Sequence, residues 1–491
     1  MSGSDYRPGY HFTPHRNWMN DPNGLVFHKG RYHLFFQYNP EGDWWANMSW
    51  GHASSPDLVH WQEHPVAIPR TDTEEIFSGS VVVDHENTAG FAAGTDPPLV
   101  AVYTSVYRDG RQAQSLAFST DDGATWMKYP GNPVLDRSST SFRDPRVFWY
   151  REPGGSGYWV LVAVEAAARQ VVFYRSANLK VWTHLSVFGG HPTDTPATGG
   201  QQFWECPDLF PLPVDGDPTH LTWVLLISVN PDPDTGGSAT CYILGHFDGA
   251  SFTPIPDATL MRLDWGADLY ATGSFDNAPD RRRIIIGWMS NWTYAADVPT
   301  SPWRGTMSLP RELALRTVDG KQTLVQQPPV ELRALDHAPG RTRSAPFTID
   351  GTREFVGGRQ YRVDVTFEAV NAPHFGLDLL VGDGWVTRLR YDLSRELLSL
   401  DRSTSGHTAF HPSFASVDSA PITLTGGRLR LQVFVDRTSV EVFAQGGAVC
   451  LTDQVFPGPA TTRFRVGSFG GATRIRSLEF VPLHAPASPH P

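Results

Sequence analysis

The chain has 491 residues, which is too long for one ordinary domain and predicts two or more. Its net charge is −11 and it contains no long basic run, which excludes tracking of a nucleic-acid backbone. With 45 Gly, 40 Pro and 16 Trp, the composition is typical of short strands and tight turns, and an acidic, aromatic-rich surface suits neutral, hydroxyl-rich ligands.

The cysteine count and the hydropathy narrow the class of protein further. Cys206, Cys241 and Cys450 are far apart and form no CxxC pair, so the sequence predicts neither a disulfide framework nor a zinc site. No run approaches 18 apolar residues, and the first twenty residues contain no apolar signal core. As given, the sequence predicts a cytoplasmic protein without a membrane partner; secretion is the alternative if a signal segment has been removed.

Near the N-terminus, residues 18–24 (WMNDPNG) place Asp21 just before the apolar run 25–27 (LVF). Pro22 fixes its own φ, and the following Asn-Gly pair tolerates positive φ, so the pattern predicts a rigid turn leading into a strand. One interpretation is an ordinary hairpin turn whose carboxylate binds its own backbone. The other is a functional carboxylate, which the Trp, Met and Asn before Asp21 favour because a turn does not need them.

Two series of residues recur along the first 320 positions. A polar turn followed by an aromatic residue occurs at 55–61 (SPDLVHW), 119–126 (STDDGATW), 176–182 (SANLKVW) and, more faintly, 248–252 (DGASF). In step with these turns, at intervals of about sixty residues, stand Asp21, Ser78, Asp144, Glu205 and Asp268. Five such units predict a five-bladed β-propeller in which these five positions begin the innermost strands and converge on one channel mouth. The alternative is coincidental spacing in an all-β protein.

The rest of the chain changes character. Residues 311–313 and 326–332 have the pattern of a connector with a short helix. Beyond them, apolar residues alternate with polar ones over 361–367 and 429–435, which predicts packed sheets. We therefore predict an all-β protein with a propeller domain at 1–325, a linker at 326–342 and a β-sandwich at 343–491.

Three carboxylates lie beside prolines at equivalent repeat positions: Asp21, Asp144 and Glu205. Two carboxyl groups across a glycosidic bond are sufficient for its hydrolysis, because one protonates the leaving oxygen and the other attacks the anomeric carbon or activates water. The residues alone leave retention and inversion open. A third carboxylate could bind sugar hydroxyls and stabilise positive charge, and Arg143 would help to keep Asp144 ionised.

These residues resemble glycoside hydrolase family 32, the β-fructosidases. The matching stretches are 18–24, 77–80 (FSGS), 143–145 (RDP), 205–206 (EC), 268–271 (DLYA), 299–305 (PTSPWRG), 307–313 (MSLPREL) and 435–441 (VDRTSVE). The resemblance implies a propeller followed by a sandwich, a retaining mechanism, and no metal or organic cofactor. It also implies that Asp21 is the nucleophile, Glu205 the general acid and base, and Asp144 the transition-state stabiliser.

The resemblance also implies a substrate-binding shell. Its members are Asn20, Gln37, Trp45, Phe77, Ser78 and Arg143. Weaker candidates, each of which a structural role also explains, are Tyr270, Trp288, Trp292 and Trp303, and of these Tyr270 and Trp292 are assigned to the shell. Cys206 is expected to be a small packed neighbour of Glu205 and not a nucleophile, because no His adjoins it. His11, His15 and His52 lack metal-ligand spacing and are expected at the rim.

The expected function is release of terminal β-D-fructofuranosyl residues from sucrose, fructo-oligosaccharides, levan or inulin through a covalent fructosyl-enzyme intermediate. The stretch 291–305 is more similar to levanases and exo-inulinases than to plant invertases. A fructosyltransferase, in which a sugar hydroxyl intercepts the same intermediate, is an open alternative. A non-catalytic fructan-binding propeller is another, although binding alone needs no acid and base pair. A monomer and a homodimer are both compatible with the sequence.

Overall fold

The computed structural model describes residues 6–92, 94–190, 202–232, 237–382 and 384–484. In these parts the chain is almost entirely β, with short 3₁₀ helices at Ala166–Ala168, Pro279–Arg281, Val330–Leu335 and Gln445–Gly447. The all-β prediction is confirmed. None of the helices described is long and apolar enough to cross a membrane.

The N-terminal region consists of antiparallel sheets that follow one another along the chain. The first sheet contains β1 (Asn17–His28), β2 (Arg31–Tyr38), β3 (Ser49–Ser55) and β4 (Gln62–Ile68). The second contains β5 (Glu74–Val83), β6 (Leu99–Tyr107), β7 (Gln112–Ser119), β8 (Met127–Lys128) and β9 (Leu135–Ser139). The third contains β10 (Phe142–Arg151), β11 (Gly157–Glu165), β12 (Gln170–Ser176) and β13 (Thr183–Gly189). Each sheet begins with its innermost strand.

Two further blades share one continuous sheet. They contain β14 (Phe203–Val214), β15 (Asp217–Asn230), β16 (Ala239–Phe247), β17 (Phe252–Pro254), β18 (Met261–Arg262), β19 (Tyr270–Ser274), β20 (Ile284–Trp288), β22 (Arg311–Val318) and β23 (Lys321–Gln327). A short strand that lies between β20 and β22 in the chain, β21 (Trp303–Arg304), pairs in parallel with β1. This pairing ties the fifth blade to the first. The reading of residues 311–313 as a connector was wrong, because they begin β22.

The five inner strands form a closed ring. Strand β1 contacts β5, β5 contacts β10, β10 contacts β14, β14 contacts β19, and β19 contacts β1. A cavity of about 40 Å³ on the ring axis is lined by residues of all five strands. This arrangement is the predicted five-bladed propeller, and the cavity is part of its central channel.

Each inner strand contains a bulge close to the predicted repeat position. The register shifts lie between Asn23 and Val26 in β1, Phe77 and Gly79 in β5, Arg143 and Arg146 in β10, Glu205 and Asp208 in β14, and Tyr270 and Gly273 in β19. Residues 18–24 are therefore not a turn before a strand, as predicted, but a bulged part of β1 itself. Bulges redirect side chains next to functional sites.

The polar turns connect the third and fourth strands of successive blades. In the first of them the Asp57 carboxylate accepts hydrogen bonds from the backbone of Val59 and His60, and the Trp61 indole donates to the Leu58 carbonyl. The indoles of Trp126 and Trp182 donate to carbonyls three residues earlier in the same way. The aromatic residue thus closes the turn and starts the next strand.

The C-terminal region is a sandwich formed by one folded sheet. Its strands are β24 (Thr342–Ser344), β25 (Phe347–Val356), β26 (Tyr361–Ala369), β27 (His374–Gly382), β28 (Trp385–Asp392), β29 (Leu397–Asp401), β30 (Val417–Pro421), β31 (Arg428–Asp436), β32 (Ser439–Ala444), β33 (Val449–Gln454) and β34 (Arg463–Pro482). The first part of β34 pairs with β27 and the second with β26, so this strand belongs to both layers. The alternating apolar residues of β26 and β31 are buried between the layers, as predicted.

The propeller and the sandwich are joined along strand β33. The backbone N–H of Trp265 donates to the Cys450 carbonyl at 2.9 Å, and that of Asp268 donates to the Thr452 carbonyl at 3.0 Å. Segment 264–268, which leads directly into inner strand β19, is therefore held by the sandwich. The short helix at Val330–Leu335 lies in the predicted linker, and the domain boundaries at 325 and 343 stay a prediction.

Candidate active site

The carboxylates of Asp21, Asp144 and Glu205 meet at one end of the channel ring. The sulfur of Cys206 lies 3.6 Å from Asp21 Oδ2 and 3.7 Å from Asp144 Oδ2. Arg143 donates to Glu205 Oε1 from Nη2 at 2.9 Å and from Nε at 3.1 Å. Strands from three blades thus bring together residues that are up to 184 positions apart. Among the described residues, no group of three or more His, Cys, Asp or Glu could hold a metal ion.

Asp21 is held by a hydrogen bond to each carboxylate oxygen. The Ser78 hydroxyl donates to Oδ2 at 2.8 Å, and the Asn20 amide donates to Oδ1 at 3.0 Å. Asn20 is itself fixed by the buried Trp18 indole, which donates to its carbonyl oxygen at 2.7 Å. Burial raises the pKa of Asp21 above its usual value, although both hydrogen bonds act in the opposite direction. The bulge and these donors together give the carboxylate one orientation.

Asp144 occupies a strained position in the bulge of β10. Its φ is +62°, a conformation that costs an L residue other than glycine about 1 kcal/mol or more. Its backbone N–H donates to Thr104 Oγ1, and the backbone N–H of Cys206 donates to its Oδ2, both at 2.9 Å. Burial raises the pKa of Asp144 to about 7 against the effect of Arg143, with the charges of Glu205 and Asp21 adding to the rise.

Glu205 has a different environment, with strong donors on both oxygens. Arg143 binds one oxygen, and the Tyr270 phenol donates to the other. Burial and the charge of Glu205 raise the pKa of Tyr270 far above its usual value, so the phenol keeps its proton and stays a donor. Burial by itself lowers the pKa of Arg143, but Glu205 and Asp144 more than offset this.

The charges of the cluster are not balanced, because Arg143 is the one cation in these contacts and it pairs only with Asp144 and Glu205. The carboxyl groups also differ in their surroundings: Asp144 is almost fully buried, whereas the Glu205 side chain is 21% exposed. Neighbouring carboxyl groups in unlike environments are the usual arrangement for acid and base chemistry. The cluster can therefore supply both a nucleophile and a proton donor.

An aromatic wall flanks the cluster. Trp45 is 48% exposed, and its ring lies edge-on to Phe77 at 6.0 Å and to Trp292 at 6.4 Å. Trp292 in turn stacks on Trp18 at 6.0 Å. An exposed indole on a packed aromatic base is a suitable platform for a sugar ring.

Sequence models of one protein family match both regions of the chain. The model of the glycosyl hydrolases family 32 N-terminal domain matches residues 11–328, and the model of the family 32 C-terminal domain matches residues 331–482. The chain belongs to glycosyl hydrolase family 32. It is therefore a glycosidase of the β-fructosidase class, which cleaves terminal fructosyl residues from fructosides.

Relatives that match nearly the whole of this chain support the same assignment. A levanase of Bacillus subtilis (strain 168) is 43% identical over 98% of this chain and 70% of its own length. The extracellular exo-inulinase inuE of Aspergillus niger is 42% identical over 95% of this chain and 93% of its own length. The crystal structure of an exo-inulinase from Aspergillus awamori superposes with a TM-score of 0.91 at 39% identity and covers 98% of both chains.

The structure brings most predicted site residues of this family 32 enzyme together. Around the three carboxylates lie Asn20, Trp45, Phe77, Ser78, Arg143, Tyr270 and Trp292. Gln37 is buried, and its amide donates to the Ile76 carbonyl at 3.0 Å, next to Phe77. Trp288 and Trp303 are fully buried and lie in the hydrophobic core.

Three predicted locations were wrong. Asp268 does not face the channel mouth: it is fully buried and binds the Tyr294 phenol, Arg402 and the backbone N–H of Gln454. His11 does not lie at the rim, because it is buried between Asp436 and Glu441 of the sandwich. His52 does not lie there either: it is buried, and its ring stacks on that of Phe35 at 4.2 Å. The repeat period identified the position of Asp268 correctly, but the direction of its side chain follows from docking of the sandwich.

Thr104 is a functional neighbour that the sequence did not reveal. Its hydroxyl accepts the hydrogen bond from the Asp144 backbone and donates to the Ser78 carbonyl at 3.2 Å. The residue is in contact with the site because β6 pairs with β5 in a register that sets Thr104 opposite Phe77. No motif marks this position, since strand register over long loops is not visible in one sequence.

Proposed function

We propose that this enzyme is a retaining β-fructosidase in which Asp21 is the nucleophile, Glu205 the acid and base, and Asp144 the transition-state stabiliser. The observation that carries the proposal is the meeting of these carboxylates in one cluster, each with a different set of hydrogen-bond donors. Such a set supports a division of roles, because nucleophile, proton donor and charge stabiliser need different environments.

In the first step, Asp21 attacks the anomeric carbon of the terminal fructosyl unit while the bond to the leaving oxygen breaks. Glu205 transfers its proton to that oxygen, so the leaving sugar departs as a neutral alcohol. In the second step, Glu205 takes a proton from water, and the water oxygen displaces Asp21 from the anomeric carbon. Ser78 and Asn20 hold the Asp21 carboxylate in place for the attack.

Asp144 stabilises the positive charge that develops on the fructosyl ring. Its pKa of about 7 reflects an environment that opposes a further negative charge. A developing positive charge beside it removes that opposition, so the carboxylate interacts more strongly with the transition state than with the neutral substrate. The left-handed backbone at Asp144 aims the side chain into the cluster.

For the substrate, we infer that fructans of the levan or inulin type are cleaved from their ends. The names of the relatives, levanase and exo-inulinase, support polymeric fructans, and an invertase of Debaryomyces hansenii, 41% identical over 66% of this chain, supports sucrose as a further substrate. The Aspergillus relatives are named extracellular, which supports secretion over the predicted cytoplasmic location.

The test is to incubate the protein with sucrose, inulin, levan and levanbiose and to resolve the products by chromatography. We expect free fructose as the main product, and early NMR spectra that show the β-furanose form before mutarotation. Longer oligofructosides as the main product would identify a fructosyltransferase, and binding without any product would contradict catalysis. The Asp21→Asn variant is the control, because it keeps the site but lacks the nucleophile.

A further inference from the structure

A large cleft lies at the opposite end of the propeller from the carboxylates. It has a volume of about 890 Å³ and is lined by the far ends of inner strands β5, β10 and β14, together with residues that follow β19. Asp144 and Tyr150 are six residues apart on β10, which corresponds to about 20 Å of extended strand. The cleft is therefore a surface separate from the active site.

The channel between the two surfaces is closed by a buried polar network. Arg146 Nε lies 3.1 Å from Asp208 Oδ1, and the Ser274 hydroxyl donates to Asp208 Oδ2 at 2.6 Å. Arg283 donates to the same hydroxyl at 3.0 Å. Because these groups fill the axis, a ligand in the cleft has no path to the carboxylates.

Half-buried aromatic side chains line the cleft. They are Phe148, Trp149, Tyr150 and Trp223, with the 44% exposed Leu221 beside them. The ring of Trp223 lies 5.9 Å from that of Phe148 and 6.4 Å from that of Tyr150, so the rings support one another. Within the described residues, the indoles of Trp149 and Trp223 and the Tyr150 phenol donate to no protein group.

The cleft also carries charges of both signs. Arg151, Arg281 and Glu86 are exposed there, and none has an ion-pair partner among the residues that the structure covers. Mixed charges on an acidic protein do not favour a polyanion. Aromatic faces beside free donors and acceptors suit a neutral ligand with many hydroxyl groups.

We propose that this cleft is a second carbohydrate site that binds an internal segment of a β-fructan chain. The choice of ligand rests on the proposed function, since the polymer that the active site shortens is the hydroxyl-rich chain that the enzyme meets. A polymer held in the cleft stays near the enzyme after each cleavage, which raises the effective concentration of its chain end at the carboxylates. Sucrose is too short to use both sites.

The test uses affinity electrophoresis of the Asp21→Asn protein in gels that contain levan, inulin or dextran, with excess fructose to occupy the active site. We expect retardation by levan or inulin but not by dextran. Adding Trp223→Ala should weaken the retardation about fivefold or more, and adding Leu221→Ser should weaken it less. Leu260→Ser is the matched control, because Leu260 is 40% exposed outside the cleft, and it should change nothing.

In the active protein, Trp223→Ala should lower kcat/KM for the polymer several-fold and leave kcat/KM for sucrose unchanged, which also shows that the variant folds. Equal retardation of the Trp223→Ala and parent proteins would overturn the proposal, as would equal retardation by dextran. Absence of fructose release by the unmodified protein would contradict the proposed function instead, and gel retardation would still report on the cleft.

Discussion

Two buried clusters of ionisable groups contrast sharply in this enzyme. The site cluster consists of Asp21, Asp144 and Glu205, of which Asp144 and Glu205 share Arg143. The interface cluster consists of Asp264, Asp436 and Glu441, which share His11 and Arg311. Both contain three carboxylates, but only the interface cluster has two cations, each hydrogen-bonded to two of them. The second cation changes how readily the carboxylates ionise.

The pKa directions show the difference. In the site cluster, burial raises the pKa of Asp21 and of Asp144. In the interface cluster, burial also opposes ionisation, but His11 brings the pKa of Asp436 below its usual value, and Arg311 and His11 do the same for Glu441. The second cation brings the interface cluster closer to charge balance, so its carboxylates are stabilised as ions and hold two domains together, whereas the site carboxylates stay reactive at a cost in stability.

The largest expected effect comes from removing a site carboxylate. Glu205→Gln or Asp21→Asn should lower kcat/KM by about 10³-fold or more, because proton transfer or the covalent intermediate is lost. The melting temperature of Asp21→Asn should stay the same or rise, since this buried carboxylate has no ion-pair partner among the described residues and its charge opposes folding. Initial rates on sucrose and thermal melts check both parts, and near-normal turnover in either variant would remove that residue from its role.

The interface cluster should respond in the opposite way. Glu441→Gln leaves Arg311 and His11 without their shared carboxylate, and breaking a buried ion pair costs about 3–5 kcal/mol of unfolding free energy. At temperatures where the variant stays folded, kcat/KM should be nearly normal. Urea unfolding measures the loss. The control is Glu354→Gln at an exposed ion pair of the sandwich, which should not change stability measurably.

The clusters should also differ in the pH range over which stability changes. The pKa of His11 is raised from 6.5 to about 9 by its hydrogen bonds to Asp436 and Glu441, which outweigh the opposing effect of burial. Its folded pKa lies above the unfolded one, so the stabilisation is complete below pH 6.5 and is lost as pH rises through about 9. The pKa of Asp144 is raised from 3.8 to about 7. Ionisation of this carboxyl group therefore lowers the stability of the folded protein as pH rises from about 3.8 to about 7.

Urea midpoints measured from pH 4 to 10 test this difference. His11→Gln should flatten the decline between pH 6.5 and 9, and Asp144→Asn should flatten the decline between about pH 4 and 7. If both variants kept the full pH dependence of the parent, the assignment of these two groups would be refuted.

The smallest expected effects on catalysis are those of two tyrosine variants. Tyr270→Phe removes one donor from Glu205. A hydrogen bond to a charged group contributes about 1.5–3 kcal/mol, so kcat/KM should fall about tenfold to a hundredfold with little change in stability. Tyr294→Phe is the comparison variant outside the site. Tyr294 donates a hydrogen bond to Asp268, which lies two residues before Tyr270. This variant should lower kcat/KM by less, and a larger loss than for Tyr270→Phe would mean that the sandwich contact matters more than the phenol.

The repeat period predicted the blades because each inner strand carries a bulge at the same depth, and the residue types at those bulges are visible in the sequence. The same period could not show that Asp268 turns toward the sandwich, since segment 264–268 pairs with β33 from a distant part of the chain. It likewise missed Thr104, which reaches Asp144 through the register of β5 and β6.

The sequence by itself determined the strand alternation, the polar turns, the prolines that shape the bulges and the chemical types of the three carboxylates. These features depend on local conformation and on residues close together in the chain. Only the tertiary structure decided which carboxylates share a cation and which side chains reach across blades or domains. Those outcomes depend on strand register and domain docking, and the same pair of side chains is reactive or stabilising according to the charges that packing brings beside it.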